Sequence, residues 1–164
     1  PGGPPRLFGN TMNRAPPLVL ALLALSVVPA QGQTSVSGIR DLAFGALPVG
    51  ITTTILPTDP VKSGQWNMTS PVGSRVFFRL TLPSQLNGPG GATMPVDFRN
   101  GDAFILEVAA GARPDYFNPG GNVNHRFRGS TQAIIRLGGR ATPALGQRTG
   151  AYSNTAILTI TNIQ

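Results

Sequence analysis

The stretch RVFFRLTL, residues 75–82, decides the fold class. Val76, Phe78, Leu80 and Leu82 fall on one face of an extended chain, and Arg75, Phe77, Arg79 and Thr81 fall on the other. Successive side chains of a strand point to opposite faces, so the alternation describes a strand with one face on a core and the other in water. An amphipathic helix needs apolar residues three and four apart, and no window after residue 32 keeps that spacing for three turns.

Outward from this run, short β-rich segments are separated by Gly, Pro and Asn clusters at intervals of about 8–12 residues, the punctuation of a β-sandwich or barrel. Val36–Phe44, Ile51–Leu56, Gly64–Thr69, Met94–Arg99, Asp102–Ala109, Asn124–Arg128, Gln132–Leu137 and Tyr152–Ile163 read as the further strands. Asn100-Gly101 between VDFR and DAFILEV predicts a two-residue hairpin, because a type I′ turn needs positive φ at both central residues. Pro83–Thr93, with turn formers at Gly88 to Gly91, predicts an irregular loop, and Asn118 to Gly121 a second break. The last run differs from the others: Leu158 and Ile160 lie on one face, Ile157 and Ile163 on the other, with threonines between and no charge. An uncharged edge strand of this kind invites pairing with another chain.

Composition agrees with one turn-rich β domain: Gly 21, Pro 16, 12% charged and Cys 0 in 164 residues. Without disulfides, stability must come from the core, from cross-strand pairing or from a neighbouring subunit. Of the 13 basic residues all but Lys62 are arginine, and they are dispersed along the sequence, so no nucleic-acid-binding stripe is expected.

Asn13 and Arg14 precede the apolar run Leu18 to Val28, and Pro29, Ala30, Gln31 and Gly32 follow it. A basic start, a short apolar stretch and small residues form an export signal; a membrane span would need ~20 apolar residues. Met12 stands where such a signal begins. The expected organisation is therefore residues 1–11 as an upstream extension outside the native product, 12–30 as signal peptide, 31–40 as an N-terminal segment and 41–164 as the β domain. The mature product is expected to be secreted, without an integral membrane span.

Residues for chemistry are few. His125 is the sole histidine, in the basic, polar context NVNHRFR, and no G-x-S-x-G elbow accompanies it, so it reads as a surface strand residue. Asp97, Asp102 and Glu107 fall around one predicted hairpin and suggest paired-carboxylate hydrolysis on paper; solvated charges are the preferred reading. Gly101 and Glu107 have the spacing of a calcium loop, but Val96 and Phe98 occupy its first ligand positions. The glycines at 88–91 lack the lysine and helix of a phosphate loop. Trp66, Tyr116 and Tyr152 are too dispersed for a sugar platform, and the sequon Asn67-Met68-Thr69 is incidental. No catalytic residue, cofactor or metal is assigned, and the chain is not expected to be an enzyme.

Several segments in order carry a resemblance: Asp41 to Gly45 (DLAFG), Gly64-Gln65-Trp66, Phe77 to Pro83, Gly90 to Val96, Leu137-Gly138-Gly139, and Gly150 to Ile160 (GAYSNTAILTI). Together they resemble the secreted bacterial proteins related to spore coat protein U and the Mat/Ecp-type fimbrillins, pilins of archaic chaperone–usher systems. The resemblance spans about Ile39 to Ile163 and rests on the order of the set. It implies an immunoglobulin-like β-sandwich that is incomplete and is completed by a donor strand from a neighbouring subunit, by β-augmentation. Such a contact is heterologous and non-closing, and so builds a filament. The resemblance carries the donor strand onto Thr34, Val36 and Gly38 and the acceptor groove onto Leu158 and Ile160. It implies copies of the same chain as partners, with a periplasmic chaperone and an outer-membrane usher, on the way to an extracellular or cell-surface fibre. The alternative is a secreted or cell-surface sandwich that binds a partner without polymerising.

Overall fold

The computed structural model describes residues 33–163; the expected signal peptide and the extension before it lie outside the described residues. The order is β1 (Ser35–Arg40), β2 (Thr53–Ile55), β3 (Gly64–Thr69), β4 (Arg75–Thr81), β5 (Gln85–Asn87), β6 (Thr93–Asp97), β7 (Ala103–Glu107), β8 (Asp115–Phe117), β9 (Asn122–Arg126), β10 (Gln132–Leu137), β11 (Gly139–Ala141) and β12 (Ile157–Ile163). Among the described residues there is no α-helix, only a 3-10 turn at Pro89–Gly91.

The strands form three antiparallel sheets, ordered β1-β3-β10-β7-β8, β2-β11-β6-β5 and β12-β4-β9. The five- and three-stranded sheets share a core in which Met68 of β3, Ile105 of β7 and Ile135 of β10 meet Val76 and Phe78 of β4, with Phe127. This layering is consistent with a β-sandwich. The alternation at 75–82 holds: Val76, Phe78 and Leu80 are buried and Arg75, Arg79 and Thr81 exposed. The four-stranded sheet has its own apolar cluster around Phe44, Ile55, Met94, Val96 and Ala141.

The Asn-Gly hairpin is not formed. Asp102 N donates to Arg99 O at 3.0 Å, which closes a turn, but β6 pairs with β5 and β11 while β7 pairs with β10 and β8. Gly101 has φ of 85° and, among the described residues, none other than glycine has positive φ, so the two positive values of a type I′ turn are missing. Phe98, packed against both smaller clusters, and the buried Asp102 fix the turn as a corner between sheets.

Other boundaries moved for similar reasons. The predicted first strand to Phe44 stops at Arg40, after which Leu42 and Phe44 lead from one core to the next. The predicted loop Pro83–Thr93 contains β5, and β8 and β11 were not anticipated. Between β10 and β11, Gly138 lets the chain switch sheets. A Cβ there would lie 2.7 Å from Pro57 N and 2.9 Å from Leu56 C, so backbone approaches backbone with no room for a side chain. The last strand begins at Ile157, five residues later than Tyr152.

Candidate functional site

The strands singled out by sequence occupy two sheet edges. β12 borders the three-stranded sheet and pairs only with β4, with Leu158 opposite Leu80 and Ile160 opposite Phe78. Leu158 and Ile160 are half-buried against the main core, whereas Ile157 and Ile163 are 54% and 48% exposed. The register shifts between Ile160 and Asn162, where the Thr161 hydroxyl donates to Phe77 O at 3.1 Å.

β1 borders the five-stranded sheet and is laddered onto β3, from Ser35 opposite Thr69 to Arg40 opposite Gln65. Val36 packs on the same buried cluster as Leu158 and Ile160, so these three of the five expected site residues converge on one core. Thr34, just before β1, bonds Ser70 through their hydroxyls at 2.7 Å, and Gly38 lies opposite Trp66. Arg40 anchors the end of β1 by donating from Nε to Ser63 O at 2.8 Å. The expected donor segment is thus engaged in its own sheet.

Where β1 ends and β12 approaches its start, a cavity of about 1020 Å³ lies between the segment following Gly38 and the loop up to Ala156. Trp66, Leu86, Met94 and Phe98 are among the apolar residues lining it. Its rim is ordered by Tyr152, whose hydroxyl donates to Arg148 O at 2.7 Å and accepts from Gln147 Nε2 at 2.5 Å. Sequence reasoning did not find this cavity, because its walls come from segments far apart in the chain.

The titratable residues are held separately. Asp97 is exposed and paired with Arg99 Nε at 2.6 Å; Asp102 is buried and accepts from Arg140 Nη1 at 2.6 Å and Arg99 N at 2.7 Å. Glu107 accepts from the backbone N–H groups of Arg128 (3.0 Å), Gly129 (2.8 Å) and Ser130 (3.2 Å). Burial works against its charge, but the amides of Gly129 and Arg128, with His125 nearby, outweigh it and hold the carboxyl below its ordinary 4.5. Asp59 is lowered likewise by the amides of Lys62 and Val61.

His125 is not the surface residue expected from sequence. Its side chain is 12% exposed and its ring meets Phe127 edge-on at 5.2 Å. It faces inward because β9 alternates with Val123 and His125 toward the core and Asn122, Asn124 and Arg126 outward. Nε2 lies 3.4 Å from Glu107 Oε1, too long for a charge-assisted hydrogen bond, and is left buried without a hydrogen-bond partner. Burial pushes its pKa below the ordinary 6.5, against the opposing pull of Glu107 and Asp115. Among the described residues no cluster of three His, Cys, Asp or Glu could hold a metal. Also among them, no helix is long and apolar enough to cross a membrane. Comparison of the chain with protein-family models, curated proteins and solved structures returned no match.

Proposed function

We propose that this chain is a secreted structural subunit of an extracellular fibre, an immunoglobulin-like sandwich that accepts an extended strand from a neighbouring copy along β12. The observation that carries the reading is the edge of β12: uncharged, half-exposed and lying over the same core as Val36. Immunoglobulin-like sandwiches pair strands A-B-E-D in one sheet and C-F-G in the other. Taking β1, β3, β4, β7, β10 and β12 as A to F, the order β1-β3-β10-β7 matches the first sheet and β4-β12 the C-F pair. The position beside F is the one a donor strand would fill. A strand laid there would add main-chain hydrogen bonds to β12 and cover Leu158 and Ile160. A periplasmic chaperone and an outer-membrane usher would protect that edge before assembly.

For Thr34 to Gly38 to be the donor, β1 must leave β3. Little apolar burial opposes its departure, since Val36 is the sole large apolar side chain from Thr34 to Gly38 and is only half-buried. The β1–β3 pairing also supports a second reading, a self-completed surface sandwich that binds a partner without polymerising.

Because the chain has no cysteine, paired cysteines separate the two. Ser37→Cys with Thr159→Cys should give a ladder of disulfide-linked multimers on non-reducing gels and filaments by electron microscopy. Ser37→Cys with Asn67→Cys, which are register partners, locks β1 in place and should abolish both. Monomers alone from the unlocked protein, with β1 protected from proteolysis, would reject the fibre and favour the second reading.

A further inference from the structure

Arginine is dispersed along the sequence, but the pairing of β4 with β9 concentrates it. Arg75 and Arg79 of β4 and Arg126 of β9 are exposed on the side of the sheet away from the core. The register sets Arg75 opposite Arg126 and Arg79 opposite Asn122, with Thr159 of β12 opposite Arg79 on the other side. Directly opposed side chains have Cβ atoms about 5 Å apart, and like charges so placed destabilise a sheet. Arg75 and Arg79, four residues apart on one strand, are ~13 Å from each other.

Nothing in the sheet offsets this charge. The sequences of β12, β4 and β9 contain no Asp or Glu. The ion pairs among the described residues use Arg99 and Arg140, and neither these nor the approach of His125 to Glu107 involves Arg75, Arg79 or Arg126.

We infer that the outer face of the β12-β4-β9 sheet binds a linear anionic polysaccharide, whose carboxylate or sulfate groups are taken by Arg75, Arg79 and Arg126. Guanidinium presents a planar fork of donors that matches such anions two bonds at a time. Asn122, Asn124 and Thr159 fill the positions between the arginines with groups that both donate to and accept from sugar hydroxyls. Half-buried Phe77, opposite Asn124, gives the centre of the face an apolar surface. A single-stranded nucleic acid would call for several exposed aromatic rings on which successive bases stack, where this face offers the one half-buried ring of Phe77, and a bilayer would call for a broad apolar face. The inference does not depend on polymerisation, because the three arginines lie on β4 and β9 and a strand added along the main chain of β12 would leave them exposed.

The test compares binding of the purified protein to dextran sulfate and to uncharged dextran by titration calorimetry. The charged polymer should bind, with affinity falling as salt rises, and the uncharged one should not. The triple variant Arg75→Gln, Arg79→Gln, Arg126→Gln should bind about tenfold more weakly, from ~0.5 kcal/mol for each exposed contact. Lys62→Gln, Arg113→Gln, Arg148→Gln removes the same charge from exposed loops and should keep wild-type affinity. The face variant should melt no lower than wild type, since it relieves the Arg75–Arg126 repulsion. Equal losses in the two triple variants, or binding of a thymidine homopolymer or of phosphatidylglycerol vesicles as tight as that of dextran sulfate, would overturn the assignment. So would a lower melting temperature in the face variant, which would make the arginines structural.

Discussion

Replacing Glu107 with alanine is expected to cost about 3 kcal/mol, although this residue touches no ligand. Its carboxylate ends β7 and is the acceptor for three consecutive amides, those of Arg128, Gly129 and Ser130, in the turn between β9 and β10. A hydrogen bond to a charged group contributes about 1.5–3 kcal/mol, and one that water replaces contributes less. The side chain is 12% exposed beside a cavity of about 400 Å³, so water offsets part of the loss. About 1 kcal/mol for each amide is a fair remainder. For a domain of this size that corresponds to a fall in Tm of about 10 °C. Glu107→Gln keeps the shape and one acceptor oxygen and should lose about half as much. Urea unfolding followed by fluorescence of Trp66, the single tryptophan, gives the values. Asp97→Ala, which breaks an exposed pair with Arg99, is the control and should cost under ~0.5 kcal/mol. If Glu107→Ala matched this control, or if the glutamine variant were as unstable as the alanine one, the amide cradle would not be what holds the turn.

The remaining expectations concern pH and the sheet corner. The folded pKa of His125 lies below 6.5, so the unfolded chain binds more protons and stability falls as pH drops from 6.5 through the folded value. Glu107 adds a second loss as pH falls from about 4.5 through its own lowered value. His125→Phe should flatten the urea midpoint over the first of those ranges, just below pH 6.5, and an unchanged slope there would exclude the histidine as its source. Gly138→Ala places a Cβ against the backbone of Leu56 and Pro57 and should cost more than ~3 kcal/mol, read as a loss of soluble yield or of the urea midpoint. Asp102→Asn leaves Arg140 without its charge partner and should cost ~3 kcal/mol, most of it regained on adding Arg140→Met. Additive losses in that double variant would show that the two residues do not act as a pair.

The sequence made the all-β class legible wherever one strand face meets a large core. Arg75–Thr81 alternates cleanly because Val76, Phe78 and Leu80 are all buried. Where strands are short the signal fails: Gln85–Asn87 and Asp115–Phe117 each turn a single half-buried side chain, Leu86 and Phe117, to a core, and Gly139–Ala141 follows a glycine forced by backbone contact. Asn100-Gly101 announced a turn correctly but not its partner, since a turn residue reports local φ and not which strands are laddered. His125 was misplaced for a related reason: its neighbours Asn124 and Arg126 are polar, but they occupy the other face of β9.

The disposition of charge is the least legible feature, and it ties the fold to its surface. Four of the six acidic residues are engaged in holding local structure: Asp59 and Glu107 by backbone amides, Asp97 by Arg99, and Asp102 by Arg140. In a chain without cysteine these clamps fix turns and corners that disulfides would otherwise secure. Their location has a consequence on the outside of the molecule. With the carboxylates drawn to loops and sheet corners, the β12-β4-β9 face keeps its arginines and no counter-charge. The cationic face therefore follows both from where the fold needs its acids and from the three arginines that β4 and β9 carry.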